Sequence, residues 1–137
     1  MKRSPIKKPR KRLNKYSKRD IPKLERKLWP LFSRFIKNRD AVMQGGRCIT
    51  CDKPCWGYNA NCGHFISRGH NSTKYDETNN NLQCAYCNAW KFGDQYNYGI
   101  QIDKKWGKGT AKELYLKSKE FHQFTIVELQ ELIKKYK

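Results

Sequence analysis

Cys48-Ile-Thr-Cys51 and Cys84-Ala-Tyr-Cys87-Asn88 decide how this chain is read. Two CxxC pairs present four thiols, the ligand set of a closed tetrahedral zinc site, and the 32 residues between them leave room for a compact insert. That insert carries Gly63-His64-Phe65 and the run Asn79-Asn80-Asn81, and Asn88 follows the last cysteine directly, with Lys91 three residues further on. Cys55 and Cys62 lie outside the pairs. Cys55 is a competitor of Cys51 for the metal, but small buried filler is the expected role of both.

Charge points to the partner. The 137 residues hold 30 Lys plus Arg against 12 Asp plus Glu, a formal net charge of +18. Solubility asks for a net charge of only about 2–8, so the excess is read as a match for a polyanion, with DNA first. No stretch approaches the roughly 18 apolar residues of a membrane span, and the basic N-terminus runs into further basic residues instead of an apolar signal core. The expected setting is therefore a reducing cytoplasm with no membrane partner. There, paired cysteines serve metal binding, and three disulfides are set aside.

Length fits one zinc-stapled domain, residues 20–137, behind a basic arm, residues 1–19, that holds ten Lys or Arg and no acid. The arm is expected to be disordered, with Arg10, Lys11 and Arg12 contacting phosphates without regard to sequence. From Asp20, Leu24, Leu28, Leu31, Phe32, Phe35 and Ile36 recur at helical spacing. Pro30 is expected to divide this stretch into one helix ending near Trp29 and a second reaching about Val42, with Trp29, Phe32 and Phe35 in the core. Between the knuckles, Trp56 to Ser67 reads as a hairpin whose second strand holds Phe65 and Ile66, and 71–81 reads as loop. A helix is expected to open at Cys87–Phe92. Another, with Tyr96, Ile100 and Trp106, closes at Gly107, and a third covers 111–119. Thr125 and Glu128 form a capping box ahead of a final helix.

A strand histidine, a loop asparagine and an asparagine at the start of a helix resemble the ββα-metal unit of HNH nucleases. The fold expected is thus α+β: a small HNH-like core stapled by Cys48, Cys51, Cys84 and Cys87 around structural Zn²⁺, flanked by N- and C-terminal helices. Each residue type has a chemical reason. A neutral imidazole at His64 takes a proton from water near neutral pH. The amide oxygen of Asn88 is a hard ligand suited to Mg²⁺ or Mn²⁺. A loop asparagine with donors and an acceptor can hold the backbone that presents the histidine. In HNH proteins of this spacing the middle residue lies five before the second CxxC, which is Asn79; Asn81, in the wording Asn-Leu-Gln, stays open beside it. Arg68 and Lys91 suit phosphate clamping.

On a wider view the chain resembles the NinG (Rap) recombination proteins of lambdoid bacteriophages. The likeness rests on LFSRFIKNRDAV (31–42), Gly-Gly-Arg-Cys-Ile-Thr-Cys (45–51), Cys-Gly-His-Phe-Ile-Ser-Arg-Gly (62–69), Lys-Tyr-Asp-Glu (74–77) and Gln-Cys-Ala-Tyr-Cys-Asn (83–88). It covers roughly residues 24–136. It implies a metal-dependent endonuclease that cuts branched, Holliday-junction-like intermediates, for which a homodimer would match the two-fold substrate. One position departs from the pattern: the family carries Asp three residues before the strand histidine, where this chain has Asn61, and many HNH enzymes carry an acid at the position of Gly63. Asn61 is then a weak ligand of the catalytic ion, with Asp76, Glu77 and Asp94 as other sources of negative charge. Two further readings stand beside the first: a zinc module that only binds nucleic acid, and an HNH nuclease acting on ordinary duplex.

Overall fold

A computed structural model describes residues 17–137, so Arg10, Lys11 and Arg12 and most of the expected arm lie outside the described residues. Ser17 accepts a turn bond from Asp20 and leads through a 3-10 turn, Lys18–Asp20, into the first helix. The architecture is α+β and mostly helical. Helix α1, Ile21–Met43, is followed by strand β1, Ala60–His64, the short helix α2, Asn71–Lys74, and strand β2, Asn80–Cys84. A single π-helical turn, Tyr86–Trp90, then precedes α3, Gln95–Trp106, α4, Thr110–Ser118, and α5, Ile126–Tyr136.

Pro30 does not divide α1, contrary to the sequence reading. It sits on the exposed side, where the carbonyl it leaves unpaired meets water, while Leu24, Leu28, Phe32 and Ile36 are buried on the other. Fully burying four such side chains at about 1.5–3 kcal/mol each outweighs the roughly 3 kcal/mol that an interior proline costs. These residues pack on Leu129, Ile133 and Tyr136 of α5, whose start is set as expected: Glu128 donates its backbone N–H to the Thr125 hydroxyl at 3.1 Å. Of the three aromatics assigned to the core, only Phe32 is buried. Phe35 is on the surface against Tyr136, and Trp29 is half-buried.

The hairpin expected over residues 56–67 is also corrected. β1 pairs antiparallel with β2, in the register Ala60 to Cys84 and His64 to Asn80, while Phe65 and Ile66 leave the strand to pack beside Tyr98 and Ile102. β2 reads Asn-Asn-Leu-Gln-Cys, without alternation or strong strand formers, yet all five residues are buried. Long-range hydrogen bonds hold it. Asp40, fully buried, accepts from Leu82 N at 2.9 Å, from Arg39 Nε at 2.8 Å and from Lys105 Nζ at 2.6 Å. Arg39 continues to the carbonyls of Glu77 and Asn80, and Asn81 Oδ1 accepts from Lys105 at 2.8 Å and the Trp106 indole at 3.1 Å. Burial pushes the Asp40 carboxyl up, but these donors outweigh it and hold it below the usual carboxylate range. Asp40→Ala leaves the Leu82 amide without an acceptor and takes the counter-charge from Arg39 and Lys105, which keep their other acceptors, so urea denaturation is expected to show a loss of about 1–3 kcal/mol.

The helix expected at Cys87–Phe92 stops after one turn, because Phe92, Gly93 and Asp94 all take left-handed backbone angles. α3 begins only after this break. It buries Tyr98 and Ile102, so the stripe of Tyr96 and Ile100 picked out in the sequence is its exposed side. No helix among the described residues is long and apolar enough to cross a membrane.

Candidate functional site

The first knuckle is a tight loop. Cys48 N donates to Lys53 O and Asp52 N to Cys48 O, both at 2.9 Å, with Asp52 left-handed at φ 60°. The second closes on the end of β2, where Cys87 N donates to Cys84 Sγ at 3.4 Å. Together they bring the sulfurs of Cys48, Cys51, Cys84 and Cys87 within 4.8 Å of one another. Cys51 and Cys84 Sγ are 3.8 Å apart. A tetrahedron with metal–sulfur bonds of about 2.3 Å has edges of about 3.8 Å, so the donor set and spacing fit structural zinc.

The thiols are not alike. Burial pushes Cys48 up, but hydrogen bonds from the Thr50 side chain and nearby backbone bring it down to about 7. Burial and the neighbouring sulfurs push Cys87 up to about 12. Four thiolates this close need a cation to coexist, which is what a bound divalent metal supplies. Cys55 is buried beside the four without joining them, and Cys62, in the middle of β1, packs into the core against α1; burial drives these thiols up to about 11 and about 12.

A cavity of about 360 Å³ runs along the free edge of β1, beside the metal site. Ala60, Asn61, Cys62 and His64 line it from the strand, Trp29, Ser33 and Lys37 from α1, Arg68 from the following loop and Asn88 from the turn behind Cys87. The structure thus brings His64, Asn61, Asn88 and Arg68 to one cleft. Lys91 is exposed and outside it, its Nζ 5.8 Å from the Tyr86 ring. Strand alternation sends Asn61 to the face of Gly63 and Gln83, and His64 to the other, so the two reach the cleft from opposite sides of the edge.

His64 Nε2 is buried and has no hydrogen-bond partner among the described residues. Its ring stacks on Trp29, centroids 5.0 Å apart and planes 20° from parallel, and the Arg68 guanidinium lies 4.1 Å from the same indole. Burial first, then the positive charges of Arg68 and Lys74, lower its pKa to about 3. The imidazole is therefore neutral at physiological pH, and in this free state a weak base, since the burial and charges that keep it neutral also disfavour its taking a proton. Trp29, read as core from its spacing, is the floor under this ring.

Asn79 lies outside the cleft and ties down the loop behind His64. Its Oδ1 accepts from Ile66 N at 2.7 Å, its Nδ2 donates to the carbonyls of Ile66 and Thr73 at 3.1 Å, and its own carbonyl accepts from Phe65 N at 2.9 Å. Asn81 instead belongs to the Asp40 network. On the other side, the fully buried Tyr98 donates its hydroxyl to Gly63 O at 2.9 Å, fixing the strand one residue before His64. Nothing in the hydrophobic spacing of α3 marked Tyr98 for this.

Among the described residues no carboxylate lines the cleft. A Cβ at Gly63 would sit 2.4 Å from Gln83 Oε1 and 2.9 Å from Gln83 Cβ, so an acid at this position has no room. Asp76 is held by Lys117 at 2.7 Å, Glu77 by the Tyr136 hydroxyl at 2.8 Å, and Asp94 accepts from Asn97 at 3.3 Å. The neutral oxygens of Asn61 and Asn88 are hard donors that suit Mg²⁺ or Mn²⁺, but they carry no charge to neutralise it.

Nothing matches this chain among curated proteins or among solved structures. A family model described as bacteriophage lambda NinG protein matches residues 2–137, which takes in both knuckles, the cleft and every helix. The chain belongs to the bacteriophage lambda NinG family.

Proposed function

We propose that this chain is a divalent-metal-dependent endonuclease of the HNH type, hydrolysing phosphodiester bonds in branched, Holliday-junction-like intermediates of phage recombination. The observation that carries the reading is the unpartnered, neutral His64 in a polar cleft with Asn61, Asn88 and Arg68. His64 is the general base that takes the proton of the attacking water. Arg68 and Lys37 bind the phosphate on either side of it. Neutralising Arg68 removes one of the charges that depress His64, so DNA arrival strengthens the base. Asn79 and Tyr98 keep the strand end in place from opposite sides, and the zinc knuckle anchors Asn88. A Mg²⁺ or Mn²⁺ ion held by Asn88 and Asn61 supplies, when bound, charge stabilisation at the scissile phosphate.

Because the protein ligands are neutral, the phosphate must contribute the negative charge. Catalytic-metal affinity is thus expected to be weak without DNA. Asn61→Asp restores a carboxylate at the family position and should lower the Mg²⁺ concentration for half-maximal junction cleavage by about tenfold. A metal titration unchanged by this substitution places the ligand elsewhere.

The missing carboxylate also favours a second reading, a zinc module that binds DNA without cutting it. The two separate on junction cleavage: the module binds junctions with or without divalent ions and never nicks them.

A further inference from the structure

Five large aromatic side chains crowd the outside of the second knuckle and the loop that pairs with it, and all point into solvent. Trp56 is 76% exposed, Tyr58 98%, Tyr86 60%, Trp90 78% and Phe92 87%. Isolated exposed aromatics need no explanation, but a cluster does. These residues are joined by the fold: Asn59 Oδ1 accepts from Ala85 N at 3.2 Å, and Ala60 pairs with Cys84, which seats the loop of Trp56 and Tyr58 beside Tyr86. Tyr58 is two residues from cleft-lining Ala60, and Tyr86 and Trp90 are each two from cleft-lining Asn88. The patch and the cleft are thus carried by the same two chain segments, although none of the five side chains lines the cleft itself. None of the five belongs to a core cluster.

We propose that this patch is a stacking platform for unpaired bases, which holds the splayed strand at a branch point while the adjoining duplex lies over the cleft. Charge selects the occupant. The chain carries +18, and cations border the platform: Lys91 is within 5.8 Å of the Tyr86 ring, and Lys37 and Arg68 line the cleft beside it. Aromatic faces interleaved with cations bind single strands with little regard to sequence, because every base offers a π-face. A protein partner of ordinary surface charge gains nothing from that cation border. A paired, stacked duplex cannot use the platform, so the surface gives preference for DNA whose bases are already free. This inference deepens the reading of the cleft as a nuclease site and rests on it for the route of the duplex.

The test is a binding titration with the full chain, scored without cleavage, in EDTA. The probes are oligo-dT and a blunt duplex of mixed sequence. Wild type should bind oligo-dT with quenching of tryptophan emission, since Trp56 and Trp90 are the most exposed of the four indoles. Trp56→Ala with Trp90→Ala should weaken oligo-dT binding by about tenfold or more, with Tyr58→Ala adding about fivefold, the scale of base stacking on aromatic side chains. Duplex affinity should change by less than about twofold, since phosphate contacts are untouched. Trp90→Phe should retain binding. Unchanged oligo-dT affinity in the double variant overturns the proposal, as does an equal loss for both probes. So does a wild type that self-associates through the patch while the double variant is monomeric. A protein that stacks oligo-dT but never cuts leaves the platform standing and removes the nuclease reading; one that cuts junctions, with the variants binding oligo-dT normally, removes the platform alone.

Discussion

His64→Ala should lower cleavage of a branched substrate by about 10²-fold or more, the contribution of a positioned base, while zinc content and junction affinity stay near wild type. The separation follows from where the side chain sits. Its ring makes no hydrogen bond through Nε2 and rests on Trp29, so nothing in the metal site or the Asp40 network depends on it. The substitution does leave space against the indole, with a stability cost. His64→Asn fills more of that space and checks the point: a base is missing from both variants, so both should be equally slow at a temperature where both are folded. Recovery of activity in the asparagine variant would make His64 a packing residue only.

Loss of the structural metal should have the larger effect on the fold. Structural zinc contributes about 10–16 kcal/mol where a site forms only in the folded chain, against a total stability of about 5–15 kcal/mol for an ordinary domain. A strong chelator, or Cys84→Ser, is therefore expected to unfold the insert, seen as loss of far-ultraviolet structure and a collapse of the thermal transition. The consequence reaches the cleft, because Asn88 follows Cys87 and β1 is held by its pairing to the strand that ends in Cys84. Cys55→Ser should keep one zinc per chain, since its sulfur is not among the clustered four. One zinc lost from Cys55→Ser and kept in Cys51→Ser would mean that the ligand set is wrong.

The parts of this fold that the sequence made legible are those decided locally. The final helix is announced by Thr125 and Glu128 three residues apart, and the knuckles by two CxxC pairs, each a short-range signal with its own chemistry. Long-range bonding decides what was misread. β2 has no strand pattern of its own, and becomes a strand because Asp40, Arg39 and Lys105 bond Leu82, Asn80 and Asn81 from 24 to 42 residues away. Pro30 is tolerated because it lies on the wet side of α1, opposite Leu24, Leu28, Phe32 and Ile36, whose burial outweighs its cost. Helical spacing marks Trp29 as apolar-facing, and only the placement of β1 against α1 turns it into the floor under His64.

The cleft residues were legible as types and only partly as positions. The likeness to HNH and NinG proteins singled out His64, Asn61 and Asn88, which the fold brings to one cavity, and Arg68 with them. Lys91 was named by the same reasoning but points elsewhere. Tyr98 and Gln83, which shape the strand around Gly63, were legible only as parts of the family likeness and not by role, because their roles depend on contacts across the fold: a hydroxyl on Gly63 O and an amide that leaves space only for glycine.

The most direct test of the nuclease reading is incubation of the purified chain with an end-labelled four-way junction beside matched linear duplex, in Mg²⁺, in Mn²⁺ and in EDTA. The account predicts nicks near the branch point with either ion, none in EDTA, and far less cutting of the linear duplex. Tight junction binding with no cleavage under any of the three conditions would contradict it.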